Sequence, residues 1–181
     1  IVDTGGSHSD LTDEYAAVRK EMESVAEYLG KSVLREVDED EFMKNIADIR
    51  SSCGDRAVLR AMHFYGDNAR VEKQAAALKA GDFETFKKYI IESGRSSYMY
   101  NQNVYSCKKA SEQPVSLALS LSEKLLDGCG AWRVHGGGFA GTIQAFVPLN
   151  KLDEYKDLME KVFGSGSCYI LSVRPVGGVE L

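Results

Sequence analysis

No apolar run in the sequence approaches the roughly 20 residues that a membrane-spanning helix needs. A basic leader followed by an apolar stretch is also missing, so no signal peptide is visible. No two of the four cysteines, Cys53, Cys107, Cys129 and Cys168, have C-x-x-C spacing. A disulfide framework or a zinc site is therefore not expected, and four reduced thiols in a cytoplasmic protein are. His8, His63 and His135 are too dispersed to suggest a metal cluster. Positive charge is scarce as well: the net charge is −5 and the isoelectric point about 5.3. That excludes broad binding to nucleic acid or a membrane surface, so any phosphate must be held locally by backbone N–H groups or a few placed cations. There are no repeats and no low-complexity tracts.

What is present is ordinary globular material, 44% apolar and 27% charged, over 181 residues, enough for one substantial domain or two small ones. Ile1-Val-Asp-Thr-Gly-Gly6 reads as the tail of a buried strand entering a turn, so the chain is expected to be cut from something longer. Asp10 or Thr12 is placed to cap a helix with Leu11, Tyr15, Val18, Met22, Val25 and Leu29 on one face and Gly30 at its end. The acidic connector 38–41 leads into one short helix through Phe42, Ile46 and Ile49. A long helix is expected over about 55–80, with Val58, Met62, Tyr65 and Ala69 inward, and another from Asp82 to about Glu92. Residues 94–113 read as a loop, and a long loop in a compact domain is usually functional. Pro114 suits the first turn of a further helix.

The character then changes. Gly130-Ala-Trp-Arg-Val-His135 and Thr142-Ile-Gln-Ala-Phe-Val147 are strand-like. A helix with Leu152, Tyr155, Leu158, Met159 and Val162 inward follows, then a strand over Cys168–Val173, and Val179-Glu-Leu181 is short enough to add one more. This order describes an α+β domain, and a ferredoxin-like antiparallel sheet with helices packed on one face is the economical packing.

Between the two central strands lies Arg133-Val-His-Gly-Gly-Gly-Phe-Ala-Gly141. Gly136, Gly138 and Gly141 satisfy G-x-G-x-x-G, but that fingerprint holds a dinucleotide only when its last glycine opens a helix. Here it opens strand material, and no Lys-Ser/Thr pair follows as a Walker loop requires. The cluster is better suited to close approach by another chain segment or a ligand.

These residues carry a resemblance. The stretch 133–141 resembles the motif R-M-T-G-G-G-F-G-G of galactokinases, members of the GHMP kinases. His8-Ser-Asp-Leu-Thr-Asp-Glu-Tyr15 with Arg19, Arg60-Ala-Met-His63, Leu78-Lys-Ala-Gly-Asp82 and Glu92-Ser-Gly-Arg-Ser-Ser97 match further family segments in the family's order. The resemblance implies a GHMP kinase C-terminal domain over 1–181. The family's G-E-H-x-D-Y segment, its phosphate loop P-x-x-x-G-L-G-S-S-A and its catalytic Asp are absent from this sequence. It implies galactose phosphorylation with ATP and Mg in a full-length enzyme whose N-terminal domain is the partner of this one. The chain alone is then expected to be inactive, with no catalytic residue or metal ligand, no cofactor bound, and some tendency to self-associate.

On the same resemblance Tyr15 is the sugar-binding tyrosine, while its place on the helix stripe reads as core. Gly136, Gly137, Gly138 and Gly141 support the phosphate site, and Arg133 and His135 are candidates for the cleft. His63 is expected to be a buried, hydrogen-bonded helix residue. Arg60 and Arg70 are expected to brace acidic neighbours such as Asp55 or Glu72. Ala140 stands where a glycine is usual, at a cost if its φ is positive. The family's S-L-R-D-x-Y-E-V-S stretch is replaced by 97–106 without acidic residues. That leaves two alternatives: another sugar kinase of the group, such as an N-acetylgalactosamine or sugar-acid kinase, or a free-standing ferredoxin-like ligand-binding module.

Overall fold

The computed structural model describes residues 1–6 and 11–173. Strand β1, Val2–Asp3, leads toward helix α1, Thr12–Tyr28, whose first turn carries Asp13 and Glu14 where carboxylates offset the helix dipole. Thr12 is the first helical residue rather than the cap, Leu11 precedes it without a side-chain cap bond, and Asp10 lies outside the described residues. At the other end the Gly30 N–H donates to Glu27 O and the Lys31 N–H to Ala26 O, which closes the helix at the expected glycine.

The acidic connector is itself helical. Asp38 accepts the Asp40 N–H at 2.9 Å and starts α2, Glu39–Lys44; α3, Ile46–Cys53, follows after Asn45. The single short helix expected there is thus two. Phe42 and Ile49 bury against Val25, Leu34, Val37, Ala57, Val58 and Ala61. Helix α4, Asp55–Lys79, is wedged between α1 and α5, Phe83–Ser96, so it buries a wide arc instead of one stripe. Ala57, Val58, Arg60, Ala61 and His63 turn inward, while Met62 is exposed.

Helix α5 does not end near Glu92. It runs to Ser96 and into a single π turn at Ser97–Asn101, so the expected loop begins later. Gly94 permits this, because a Cβ there would meet Arg133 Cβ at 3.0 Å and Trp132 O at 3.1 Å. Helix α6, Pro114–Leu126, forms as expected, as do β2, Ala131–Val134, and β3, Thr142–Phe146; α7, Leu152–Phe163, completes the described helices. In α7, Tyr155 and Met159 are buried but Val162 is exposed.

The sheet is antiparallel with order β1–β3–β2, and it pairs Val2 with Ile143, Val134 with Ile143 and Trp132 with Ala145. Side chains alternate between faces. One face, with Val2, Trp132, Val134 and Ile143, packs on α6 and α7 through Val115, Ala118, Leu126, Tyr155 and Met159. Ala131 and its partner Phe146 point the other way and meet Phe86 and Ile90 of α5. Helices therefore cover both faces near β2, where small residues let α5 approach; packing on one face alone is not what forms.

The strand expected over Cys168–Val173 is reduced to a bridge between Cys168 and Val2, flanked by Asp3 N–H to Ser167 O and Tyr169 N–H to Ile1 O. Ile170, Leu171 and Val173 are exposed. The strand suggested for Val179–Leu181 lies outside the described residues. No helix among the described residues is long and apolar enough to cross a membrane.

Candidate functional site

The glycine loop between β2 and β3 rests on two residues that are distant in sequence. Tyr15, on the inner face of α1, donates its hydroxyl proton to Gly138 O at 2.7 Å and sets its ring edge-on against Phe139, with centroids 5.3 Å apart. Burial pushes the Tyr15 hydroxyl pKa up, which keeps it a donor. Asn103, just past the π turn, accepts the Phe139 N–H on its backbone carbonyl and donates its side-chain amide to Gly137 O at 3.1 Å.

These contacts explain the glycines. A Cβ on Gly137 would lie 2.6 Å from Tyr15 Cε1, and one on Gly138 would collide with the Asn103 carbonyl. Gly136, Gly138 and Gly141 all take positive φ. Close approach is therefore made by this chain's own Tyr15 and Asn103. Ala140 escapes the anticipated strain; Phe139 adopts the left-handed conformation instead, at φ +58°. Such a backbone costs about 1 kcal/mol or more without a glycine. The buried Phe139 ring and its N–H bond to Asn103 offset that cost.

Two clefts flank the loop. One of about 690 Å³ runs along Thr4, Gly5, Gly6, Leu11, Phe139 and Ala140. The other, of about 630 Å³, is walled by Tyr15, Val18, Met22, Phe64, Gly136 and Gly137. Tyr15 and the glycines thus come together. Arg133 and His135 do not join them: the Arg133 side chain packs over Gly94, and His135 is exposed beside Gln144 in a separate groove. Alternation along β2 causes the split, since both point away from the Val134 face.

The remaining singled-out residues are structural here. His63 Nδ1 lies 2.9 Å from Ser96 Oγ, and burial lowers its pKa. Arg70 donates to Asp67, not Glu72, at 2.8 Å. Arg60 is fully buried and reaches Glu21 at 2.8 Å and Asn101 O at 3.1 Å; Asp55 instead pairs with Arg50. Burial lowers the Arg60 pKa, and the neighbouring Glu21 offsets only part of that. Sequence reasoning missed Asn103 and the buried Glu14, which accepts the Ser106 hydroxyl at 2.6 Å. The available signal was the unusual polar stretch 97–106 itself.

No family model matches the chain. Over all 181 residues it is 31% identical to a galactokinase of Homo sapiens and spans 43% of that protein's length. It is 30% identical to a Bos taurus galactokinase over 171 residues, 94% of this chain and 41% of that one. The chain is similar to these galactokinases over nearly all of its own length. It corresponds to their C-terminal part. A Haemophilus influenzae galactokinase is 27% identical over 159 residues, 88% of this chain and 39% of its own. The galactokinase-like chain therefore spans about two fifths of the length of the curated relatives it matches. A solved structure of Lactococcus lactis galactokinase complexed with galactose superposes with a TM-score of 0.65 at 21% identity, covering 90% of this chain and 40% of that one. At that identity the likeness speaks for the fold.

Proposed function

We propose that this chain is the C-terminal domain of a galactokinase, in which the γ-phosphoryl group of ATP passes to the anomeric hydroxyl of galactose and yields galactose 1-phosphate. The observation that carries the reading is the seating of the glycine loop on Tyr15, in a chain that matches human galactokinase along its whole length. The domain reading covers 1–181. A ferredoxin-like sheet is proposed on the bridge from Cys168 to Val2, which sets the segment after α7 outside β1.

Phosphoryl transfer asks a protein mainly for positioning and for donors aimed at phosphate oxygens. Among the described residues, the N–H groups of Gly136, Gly137 and Gly138 donate to no backbone carbonyl. Successive free N–H groups in a turn form an anion-binding concavity, which fits support of an ATP phosphate. Tyr15 spends its proton on Gly138 O, so its oxygen accepts from a sugar hydroxyl and links sugar position to loop position. A magnesium ion fits poorly within this chain, since no three His, Cys, Asp or Glu side chains converge among the described residues. Its ligands fall to the remainder of the enzyme, and no step of this chain runs through it. The use of ATP and free sugars in this reaction supports a cytoplasmic location. Exposed Leu149, Leu171 and Val173 support self-association of the isolated chain.

A second reading, another GHMP sugar kinase such as an N-acetylgalactosamine kinase, is favoured by the stretch 97–106, which forms a π turn and lacks the acidic residues of the segment it resembles. One experiment separates these readings: the full-length protein is assayed for sugar-dependent ADP release with galactose, N-acetylgalactosamine and a sugar acid, beside the isolated chain. Turnover is expected with galactose only, and none from the isolated chain. Preference for another sugar moves the assignment to the second reading, and no turnover with any sugar leaves the ligand-binding module.

A further inference from the structure

We infer that Asn103 is a positioning residue for the phosphate-facing side of the glycine loop. The inference rests on the sugar-kinase reading above, and its geometry stands apart from that reading. A trans peptide is planar, so its C=O and N–H point in opposite directions. The unit joining Gly137 and Gly138 has its carbonyl held by the Asn103 side-chain amide at 3.1 Å. Its N–H, on Gly138, is thereby aimed away from Asn103. The next unit is fixed at both ends: Tyr15 donates to Gly138 O at 2.7 Å, and the Phe139 N–H donates to Asn103 O. Two consecutive peptides therefore cannot rotate without breaking a bond to Tyr15 or Asn103. Glycine is the residue that would otherwise rotate most freely.

Asn103 is itself held from both sides. Its predecessor Gln102 sits in the left-handed conformation at φ 55°, ψ 45° after the π turn, and Arg60 donates to Asn101 O at 3.1 Å. On the far side Val104 is fully buried, and the Ser106 hydroxyl donates to the buried Glu14 at 2.6 Å. The stretch 101–106 is thus a strut from α1 and α4 to the loop. Its chemistry is specific: an amide donates to a carbonyl, whereas an ionised carboxylate at the same place would set oxygen against oxygen. The polar, non-acidic character of this stretch gains a physical reason, since position 103 must donate.

The test uses the full-length protein with Asn103→Asp, which swaps the donor for an acceptor at constant shape, and Asn103→Ala, which removes the donor and keeps the backbone carbonyl. The alanine variant carries the test alone if the aspartate variant does not fold. We expect amide exchange at Phe139 and Ala140, the loop N–H groups that donate to Asn103 O and Gly138 O, to rise at least tenfold in both. We also expect kcat to fall by about tenfold or more while the sugar KM stays within about twofold, the split of a group that acts in the transition state. Exchange or kcat at the wild-type level in both variants overturns the inference. If wild-type protein turns over no ATP with any sugar, the kinase reading fails on its own, and the exchange measurement decides the role of Asn103.

Discussion

Two regions of the molecule meet at β2 and β3 and are held by different physics. Behind the sheet, Val2, Trp132, Val134 and Ile143 meet Val115, Leu126, Tyr155 and Met159, and apart from the Ser122–Tyr155 hydroxyl contact at 2.8 Å the packing is apolar. Around the glycine loop, α1 and the 97–106 stretch are joined by bonds from Tyr15, Asn103, Ser106 and Arg60. Apolar burial is non-directional and roughly proportional to area. Hydrogen bonds are directional, each worth only about 1 kcal/mol net. The first region therefore sets whether the chain folds, and the second sets where a backbone points. Damage should separate along the same line, to melting temperature on one side and to turnover on the other.

The largest effect is expected behind the sheet. Leu126 is fully buried, and Leu126→Ala removes its contacts and leaves a cavity. A loss of about 2–5 kcal/mol of stability follows. Denaturant melts of the isolated chain measure it, while the sugar KM of the surviving folded full-length protein is expected to be unchanged. A large KM shift in that variant would mean that the two regions are mechanically one.

The same division governs what was legible in the sequence. Tyr155 and Met159 of α7, the start of α6 at Pro114 and the two central strands follow from local periodicity, because each buries its apolar face against a nearby neighbour. Burial on two sides defeats that logic, which is why Met62 was expected inward on α4 and is exposed. The polar clamp is written in pairs too far apart for any window: Arg60 with Asn101 across 41 residues, Asn103 with Gly137 across 34, Ser106 with Glu14 across 92. The resemblance to galactokinases singled out Tyr15 and the glycines, yet its logic aimed the loop at a separate domain. The structure adds that the same glycines are required by Tyr15 and Asn103 within the chain.

A smaller effect sharpens the comparison from the polar side. Tyr15→Phe keeps the ring against Phe139 and removes the hydroxyl that bonds Gly138 O. Sugar use by the full-length protein should weaken by about 0.5–1.5 kcal/mol, with stability changed little. Steady-state kinetics beside a thermal melt measure this. Unchanged kinetics would return Tyr15 to a packing role.

The smallest effect lies where the two kinds of packing touch, at His63. Its ring is buried on α4 and bonded to Ser96, with Asp67, Arg70 and Arg133 as the charged groups around it. Burial outweighs Asp67 and lowers the folded-state pKa below its ordinary value of 6.5. The unfolded chain then takes up a proton before the folded chain does. Stability attributable to His63 is therefore full above the ordinary value, and it declines as pH falls from there toward the lowered one. Melting temperatures of the isolated chain between pH 7.5 and 5.5, roughly the window on either side of an unperturbed histidine, should fall more for wild type than for His63→Gln. The glutamine keeps a hydrogen-bonding group near Ser96 and cannot titrate. Parallel declines for the two proteins would assign the acid sensitivity elsewhere in the fold and leave His63 a packing residue bonded to Ser96.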